Sequence, residues 1–197
     1  MFVQIIEGRT SDADGLKRQG ARWQAEVGAG AVGFLGVTSG VADDGRAITI
    51  ARFESEAAAR ANSDRPEQSA WWAETAKYYD GDVSFAESSD ILELLGGGSN
   101  DAGFVQVMKV RGVDRAKVER LDETFDELAS LRPDLLGGLR AWTGPDSYVE
   151  AAYFTSEADA RAGEKAELPE AVQAVMAEFQ EMMANTEFID LKDPELH

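Results

Sequence analysis

The sequence predicts an α+β chain in which one supersecondary unit is written twice. Two repeated stretches and a break between them carry this expectation. FVQIIEGRTSDADGLKR at 2–18 returns as FVQVMKVRGVDRAKVER at 104–120, and ARFESEAAARA at 51–61 returns as AYFTSEADARA at 152–162. Strand-like and helix-like patterns therefore recur in the same order at a spacing of about a hundred residues. Between the copies, LLGGGSNDAG places three consecutive glycines beside Ser99, Asn100 and Asp101 with no apolar face, the composition of a linker.

In the first copy, FVQIIEG is β-branched and aromatic enough for a strand, and Thr10, Ser11 and Asp12 supply an N-cap cluster for a helix. Leu16, Trp23 and Val27 keep one face of that helix apolar until Gly28 and Gly30 break it. VGFLGVTSG reads as a second strand, ADDG as a hairpin turn and RAITIARF as a third strand. Ser55 opens a short helix, and Pro66 marks the first turn of a further helix, PEQSAWWAETAKYY. DGDVSFAES closes the unit as a fourth strand. The second copy has the same punctuation: FVQVMKV, DRAKVERLDETFDELASL, LLGGLRAW, the turn TGPDS, YVEAAYF, the helices SEADARAGEK and PEAVQAVMAEFQEMMA, and TEFIDL. The order β-α-β-β-α-β is the ferredoxin-like split motif.

Both parities of the first strands are apolar, Phe2 and Ile6 against Val3 and Ile5, and Phe104 and Met108 against Val105 and Val107. A sheet covered on both faces predicts that pattern. The expected architecture is thus two tandem ferredoxin-like repeats packed sheet to sheet as an internal dimeric α/β barrel. The first repeat is expected at 1–94, the linker at 95–102 and the second repeat at 103–197. A chain that completes its own pairing is expected as a monomer or a homodimer.

Composition narrows the partners. The 197 residues carry a net charge of −18 with scattered arginines, which would repel a phosphate backbone, so nucleic acid is not expected. No apolar run reaches membrane-spanning length, so no membrane partner is expected either. The start, MFVQIIEGRT, lacks the features of a signal peptide, and cysteine is absent; both fit a cytoplasmic address. The Arg-over-Lys, Ala-rich and Gly-rich usage fits a high-GC bacterial genome.

Taken together, the FVQ(I/V) strand, the Ser-Glu-Ala-X-Ala-Arg-Ala segment, the proline-started helix and the closing strand resemble the dimeric α/β-barrel superfamily. Within it they resemble particularly the antibiotic-biosynthesis monooxygenase domain, here in tandem over nearly the whole chain. The resemblance implies a small-molecule-binding protein. It includes cofactor-independent oxygenases of phenols and quinols, haem-degrading enzymes, isomerases and members without known activity. The haem-degrading branch carries an asparagine near the end of the first strand and a histidine before the last strand. Here the first strand ends Ile6-Glu7-Gly8, its twin ends Met108-Lys109-Val110, and the one histidine is His197, expected as a solvated tail. No cofactor and no metal are therefore expected.

The ligand-pocket candidates are Gln4, Arg52, Trp71, Trp72, Tyr78 and Tyr79. Trp72 and Tyr79, like Trp71 and Tyr78, are seven residues apart and form two adjacent stripes of one helix. Counted from Pro66 and Pro169, the second copy has Ala174, Val175, Glu181 and Met182 instead. Either these rings fill core, or they wall a flat aromatic pocket confined to the first copy. Gln4 and its twin Gln106 are polar in apolar strands, suiting a structural contact across the pseudo-twofold or a donor at each cavity. Arg52, opposite the twin position Tyr153, could anchor an anion or pair with a surface carboxylate. Trp23 is matched by Phe125, as a core position would be, and Trp142, matched to Thr38, could plug the second copy's cavity.

No catalytic residue is assignable. Thiol and imidazole nucleophiles are missing, LLGGGSN lacks the lysine of a phosphate loop, and Asp43-Asp44 reads as a solvated turn. Any catalysis would resemble the cofactor-independent oxygenases, acting on an aromatic or quinol-like substrate that supplies electrons to dioxygen. The alternative is a non-catalytic ligand-binding or stress-associated structural barrel.

Overall fold

The computed structural model of the chain describes residues 1–167 and 169–197, with side chains for all of them except 126–128, 170–172, 174 and 176. The first copy forms β1 (Phe2–Arg9), α1 (Ala13–Arg22), β2 (Phe34–Val41), β3 (Arg46–Phe53), α2 (Glu56–Ser63), α3 (Pro66–Thr75) and β4 (Ser84–Ser88), followed by a short β5 (Ile91–Leu94). The second repeats the order as β6 (Phe104–Arg111), α4 (Arg115–Asp122), α5 (Phe125–Ser130), β7 (Leu135–Gly144), β8 (Ser147–Phe154), α6 (Glu157–Gly163), α7 (Glu170–Met182) and β9 (Glu187–Leu191), followed by β10 (Glu195–Leu196).

These elements start where short-range chemistry allows. Asp12 Oδ1 accepts from Gly15 N at 2.8 Å to cap α1, and Ser55 and Ser156 accept from Ala58 N and Asp159 N at 3.2 and 3.1 Å to cap α2 and α6. Pro66 stands at the first turn of α3, where its missing N–H costs nothing. Gly28 and Gly30 do not end the first helix abruptly. It widens into a π turn at Trp23–Val27 and tightens into a 3₁₀ turn at Gly28–Gly30.

The α+β architecture consists of two antiparallel five-stranded sheets ordered β10-β2-β3-β1-β4 and β5-β7-β8-β6-β9. Their central strands match in register: Gln4 opposes Ala51 as Gln106 opposes Ala152. In both sheets the two strand parities are buried, as with Phe2 and Val3 or Phe104 and Val105. The two ferredoxin-like repeats differ from the expected boundaries in one respect. The compact units are Met1–Ile91 with Asp193–His197, and Leu92–Lys192. The strands β5 and β10, absent from the sequence reading, follow equivalent closing strands, and each joins an edge of the other repeat's sheet.

A glycine makes room for each added segment. Gly36 and Gly137 sit at equivalent bulges of β2 and β7. A Cβ on Gly36 would collide with the carbonyl of His197, and one on Gly137 with the carbonyl of Gly97. The backbone of the incoming chain thus passes where a side chain would stand.

Each repeat also carries the same polar relay on the helix-facing side of its sheet. Gln4 Nε2 donates to Glu87 Oε1 at 2.9 Å, and Glu87 pairs with Arg60 of α2. Gln106 Nε2 donates to Asp190 Oδ1 at 3.0 Å, and Asp190 pairs with Arg161 of α6. The two glutamines therefore make a cross-strand contact inside their own repeat, not one across a twofold.

Candidate functional site

In the first unit, the face of the sheet turned toward α1 and α3 borders a cavity of about 300 Å³, at the small end of ligand-sized pockets. Its floor is open because small side chains stand at the sheet centre. Ala47, Thr49 and Ala51 of β3 project on this face, flanked by Ile6 of β1 and by Val37 and Ser39 of β2.

The wall opposite is aromatic. Trp23, on the π turn, stands 4.7 Å from Phe34 and 6.5 Å from Trp71 between ring centroids, and Trp71 stands 6.1 Å from Trp72. Trp72 in turn meets Tyr79 at 6.1 Å and Phe85 at 5.4 Å. Two indoles are held by hydrogen bonds: Trp23 Nε1 donates to Gln68 Oε1 at 2.6 Å, and Trp71 Nε1 to the Gln19 carbonyl at 2.9 Å. Trp72 has no hydrogen-bond partner among the described residues. Trp71, Trp72 and Tyr79 are half-buried.

Four of the six sequence candidates, Gln4, Trp71, Trp72 and Tyr79, line this cavity. Helical spacing is not what brings Tyr79 to Trp72: α3 ends at Thr75, a 3₁₀ turn covers Ala76–Tyr78, and Tyr79 is extended. That unwinding separates the two tyrosines. Tyr78 turns to the start of α1, against Gly15, and its carbonyl accepts from Thr10 Oγ1 at 2.7 Å. Arg52 lies on the other face of β3 and borders no part of the cavity. One of its guanidinium nitrogens donates to the His197 carbonyl at 3.4 Å, and its buried Nε has no hydrogen-bond partner among the described residues.

At one end of the floor, burial pushes the Tyr79 hydroxyl up to about 12, against the opposing pull of its hydrogen bond with Thr49. It is a neutral phenol at physiological pH. At the other end, the last strand brings in Glu195, to which the sequence alone assigned no role, and His197, expected only as a solvated tail. Glu195 opposes Ser39, whose Oγ donates to Glu195 Oε2 at 3.3 Å. Burial raises the Glu195 carboxyl above the usual range, partly offset by Ser39, Lys17 and His197. His197 is not a loose tail: its N–H donates to the Val37 carbonyl at 3.1 Å, and it borders the cavity. The signal for these residues is faint but present, since a short apolar-acidic run, ILEL and then ELH, follows the closing strand of each copy.

The second unit fills the matching face of its sheet. Ala47, Thr49, Ser39 and Val41 correspond in register to Tyr148, Glu150, Arg140 and Trp142. Trp142 thus answers to Val41, not to Thr38. Arg140 Nε donates to Glu150 at 2.5 Å, and its Nη1 donates to both oxygens of Asp122 at 2.8 and 2.7 Å. Burial works against the charged guanidinium, but the two carboxylates outweigh it and hold its pKa above the ordinary value. Trp142 and Tyr148 pack edge to face at 5.1 Å in a cluster with Phe104, Met108 and Val118. Val175 and Met182, the counterparts of Trp72 and Tyr79, are partly buried on α7, and the side chain of Ala174 lies outside the described residues. Among the described residues no group of acidic residues or histidine is arranged to hold a metal, and no helix is long and apolar enough to cross a membrane.

Solved structures similar over the whole chain include a "putative monooxygenase" from Lactobacillus acidophilus NCFM (TM-score 0.70, 11% identity, 100% of this chain and 98% of that one). A "putative monooxygenase" from Fusobacterium nucleatum is also similar (TM-score 0.73, 9% identity, 100% and 93%). So is an "anthrone oxidase-like protein" (TM-score 0.67, 11% identity, 100% and 92%). The chain shares the fold of these three structures. No protein-family model and no curated protein sequence matches the chain.

Proposed function

We propose that the first unit binds a flat aromatic small molecule between the indole wall and the sheet, and that the protein oxygenates it as a cofactor-independent monooxygenase. One observation carries the reading: the aromatic wall of Trp23, Trp71, Trp72 and Tyr79 faces a floor kept open by Ala47, Thr49 and Ala51. An indole edge and a phenol hydroxyl then lie beside the space a ring would occupy, and stacking supplies affinity without demanding one heteroatom pattern. The likeness to monooxygenases is one of fold and supports the reaction class no further than that.

In the reaction, an activated phenolic or quinol-like substrate gains a carbonyl oxygen at a ring carbon and loses two hydrogens, both from that carbon where it is a methylene, or one from an aromatic C–H carbon and one from the phenol hydroxyl. Dioxygen takes up the four electrons, one atom entering the product and the other leaving as water. The protein's part is to orient the ring and to offer the neutral Tyr79 hydroxyl to a substrate oxygen that gains negative charge.

Tryptophan quenching and thermal shift with phenols, quinones and flavins test binding, and an oxygen electrode with anthrone tests the reaction. Saturable binding that weakens roughly threefold to tenfold in Trp72→Phe, as stacking area is lost, with one dioxygen consumed per anthrone, is the expected result. Binding without oxygen uptake would make the protein a carrier. Binding unchanged in both Trp72→Phe and Tyr79→Phe would overturn the assignment of the cavity.

A further inference from the structure

We propose that Glu195, brought to the cavity by the last strand, selects ligands that carry a hydroxyl group by accepting its hydrogen bond. This rests on the reading of the cavity as a binding site for aromatic molecules and adds which substituent is recognised.

The argument is geometric. Glu195, Ser39 and Thr49 stand opposite one another on three adjacent strands, so their side chains form one polar row across the cavity floor, bounded by the apolar Ile6 of β1 opposite Thr49. Thr49 is engaged by Tyr79 at the far end of the row. At the near end, Ser39 holds one oxygen of Glu195. The carboxylate has about four acceptor positions, and Ser39 satisfies one. α1 is notched to admit it: a Cβ on Gly20 would stand 2.7 Å from Glu195 Oε2.

The other groups around Glu195 leave it an acceptor. Lys17 of α1 is engaged by Asp193, and Asp14 and His197 also border this end of the cavity. Among those groups Lys17 and His197 favour the charged carboxylate, while Asp193 opposes it. A carboxylate beside an aromatic cavity favours a ligand with an O–H to donate and is left underused by one without. In the second unit Arg140 replaces Ser39 and Glu150 replaces Thr49, and the row is closed on itself by their ion pair.

The test compares 2-naphthol with its methyl ether, 2-methoxynaphthalene, by tryptophan quenching. Wild type should prefer 2-naphthol by roughly tenfold or more, the worth of one hydrogen bond to a charged acceptor. Glu195→Gln should bring the ratio to within roughly threefold while leaving the ether's affinity unchanged. Gly20→Ala guards against a folding artefact, because it replaces a helix glycine by the best helix former yet crowds the carboxylate; it should keep or raise Tm and lose the preference. In wild type the preference should also fade as the pH is lowered through the titration of Glu195, and Glu195→Gln should abolish that dependence. Equal affinities in wild type, or a preference that survives both substitutions, overturn the role of Glu195 while leaving the cavity assignment intact. Failure of both compounds to bind overturns the cavity assignment, and this inference with it.

Discussion

Tyr79 packs directly against Gly8: a Cβ on that glycine would stand 2.5 Å from Cδ1 of the tyrosine ring. The register position is Val110 in the second repeat, where the side chain is 1% exposed and packs in a cluster with Tyr148 and Trp142. Gly8→Ala should therefore displace the ring, lowering stability by roughly 1–3 kcal/mol through overpacking and weakening aromatic binding. Urea unfolding and tryptophan quenching on the same samples check both.

Trp72 separates a packing role from a binding role. It is only half-buried, so Trp72→Ala should cost about 2 kcal/mol, less than the ~3–5 of a fully buried ring. Trp72→Phe should stay within about 1 kcal/mol of wild type yet lose affinity for flat ligands. A loss of 3 kcal/mol or more in Trp72→Ala, with no change in binding for either variant, would make the ring core.

Alkaline unfolding reports on Tyr79. Its hydroxyl titrates near 12 in the fold against 10.0 ordinarily, so between those values the unfolded chain has given up a proton that the folded one keeps. The contribution is complete below pH ~10 and disappears as pH rises toward ~12. Tyr148 is raised in the same direction by burial, so Tyr79→Phe should make the fall in unfolding free energy shallower without removing it. An unchanged slope in that variant would contradict the burial of the hydroxyl.

The Arg140 cluster should act on stability alone. The side chains of Arg140 and Glu150 are 4% and 9% exposed, so Arg140→Ala strands a buried carboxylate and should cost roughly 3–5 kcal/mol. Arg140→Met combined with Glu150→Leu should recover only part of that loss, because the buried Glu150 charge is gone but Asp122, 21% exposed, is left without its guanidinium. Denaturant unfolding measures the stability change, and ligand affinity in the first unit should not move.

The strands and caps were legible because their signals are local. Asp12, Ser55 and Ser156 cap the helices that follow them, Pro66 starts its helix, and apolar residues on both parities mark strands buried on both faces. The repeat itself announced the order of elements. Trp71, Trp72 and Tyr79 stood out because their second-copy counterparts are not aromatic. Tyr78, chosen by the same reasoning, and Arg52, chosen as a strand arginine that could anchor an anion, lie elsewhere, since a 3₁₀ turn after Thr75 and the parity of β3 send them to other surfaces.

By itself, then, the sequence determined a doubled β-α-β-β-α-β chain and an aromatic asymmetry between its halves, both written in neighbouring residues. Whether those rings face open space was decided by the tertiary structure. Ser39 and Thr49 against Arg140 and Glu150 make the difference, and each pair meets only when strands distant in side-chain detail fall into register. The place of Glu195 was decided in the same way. Its partner Ser39 is 156 residues away, and a strand as short as Glu195–Leu196 has too few residues to show a period; only the pairing with β2 gives it a position.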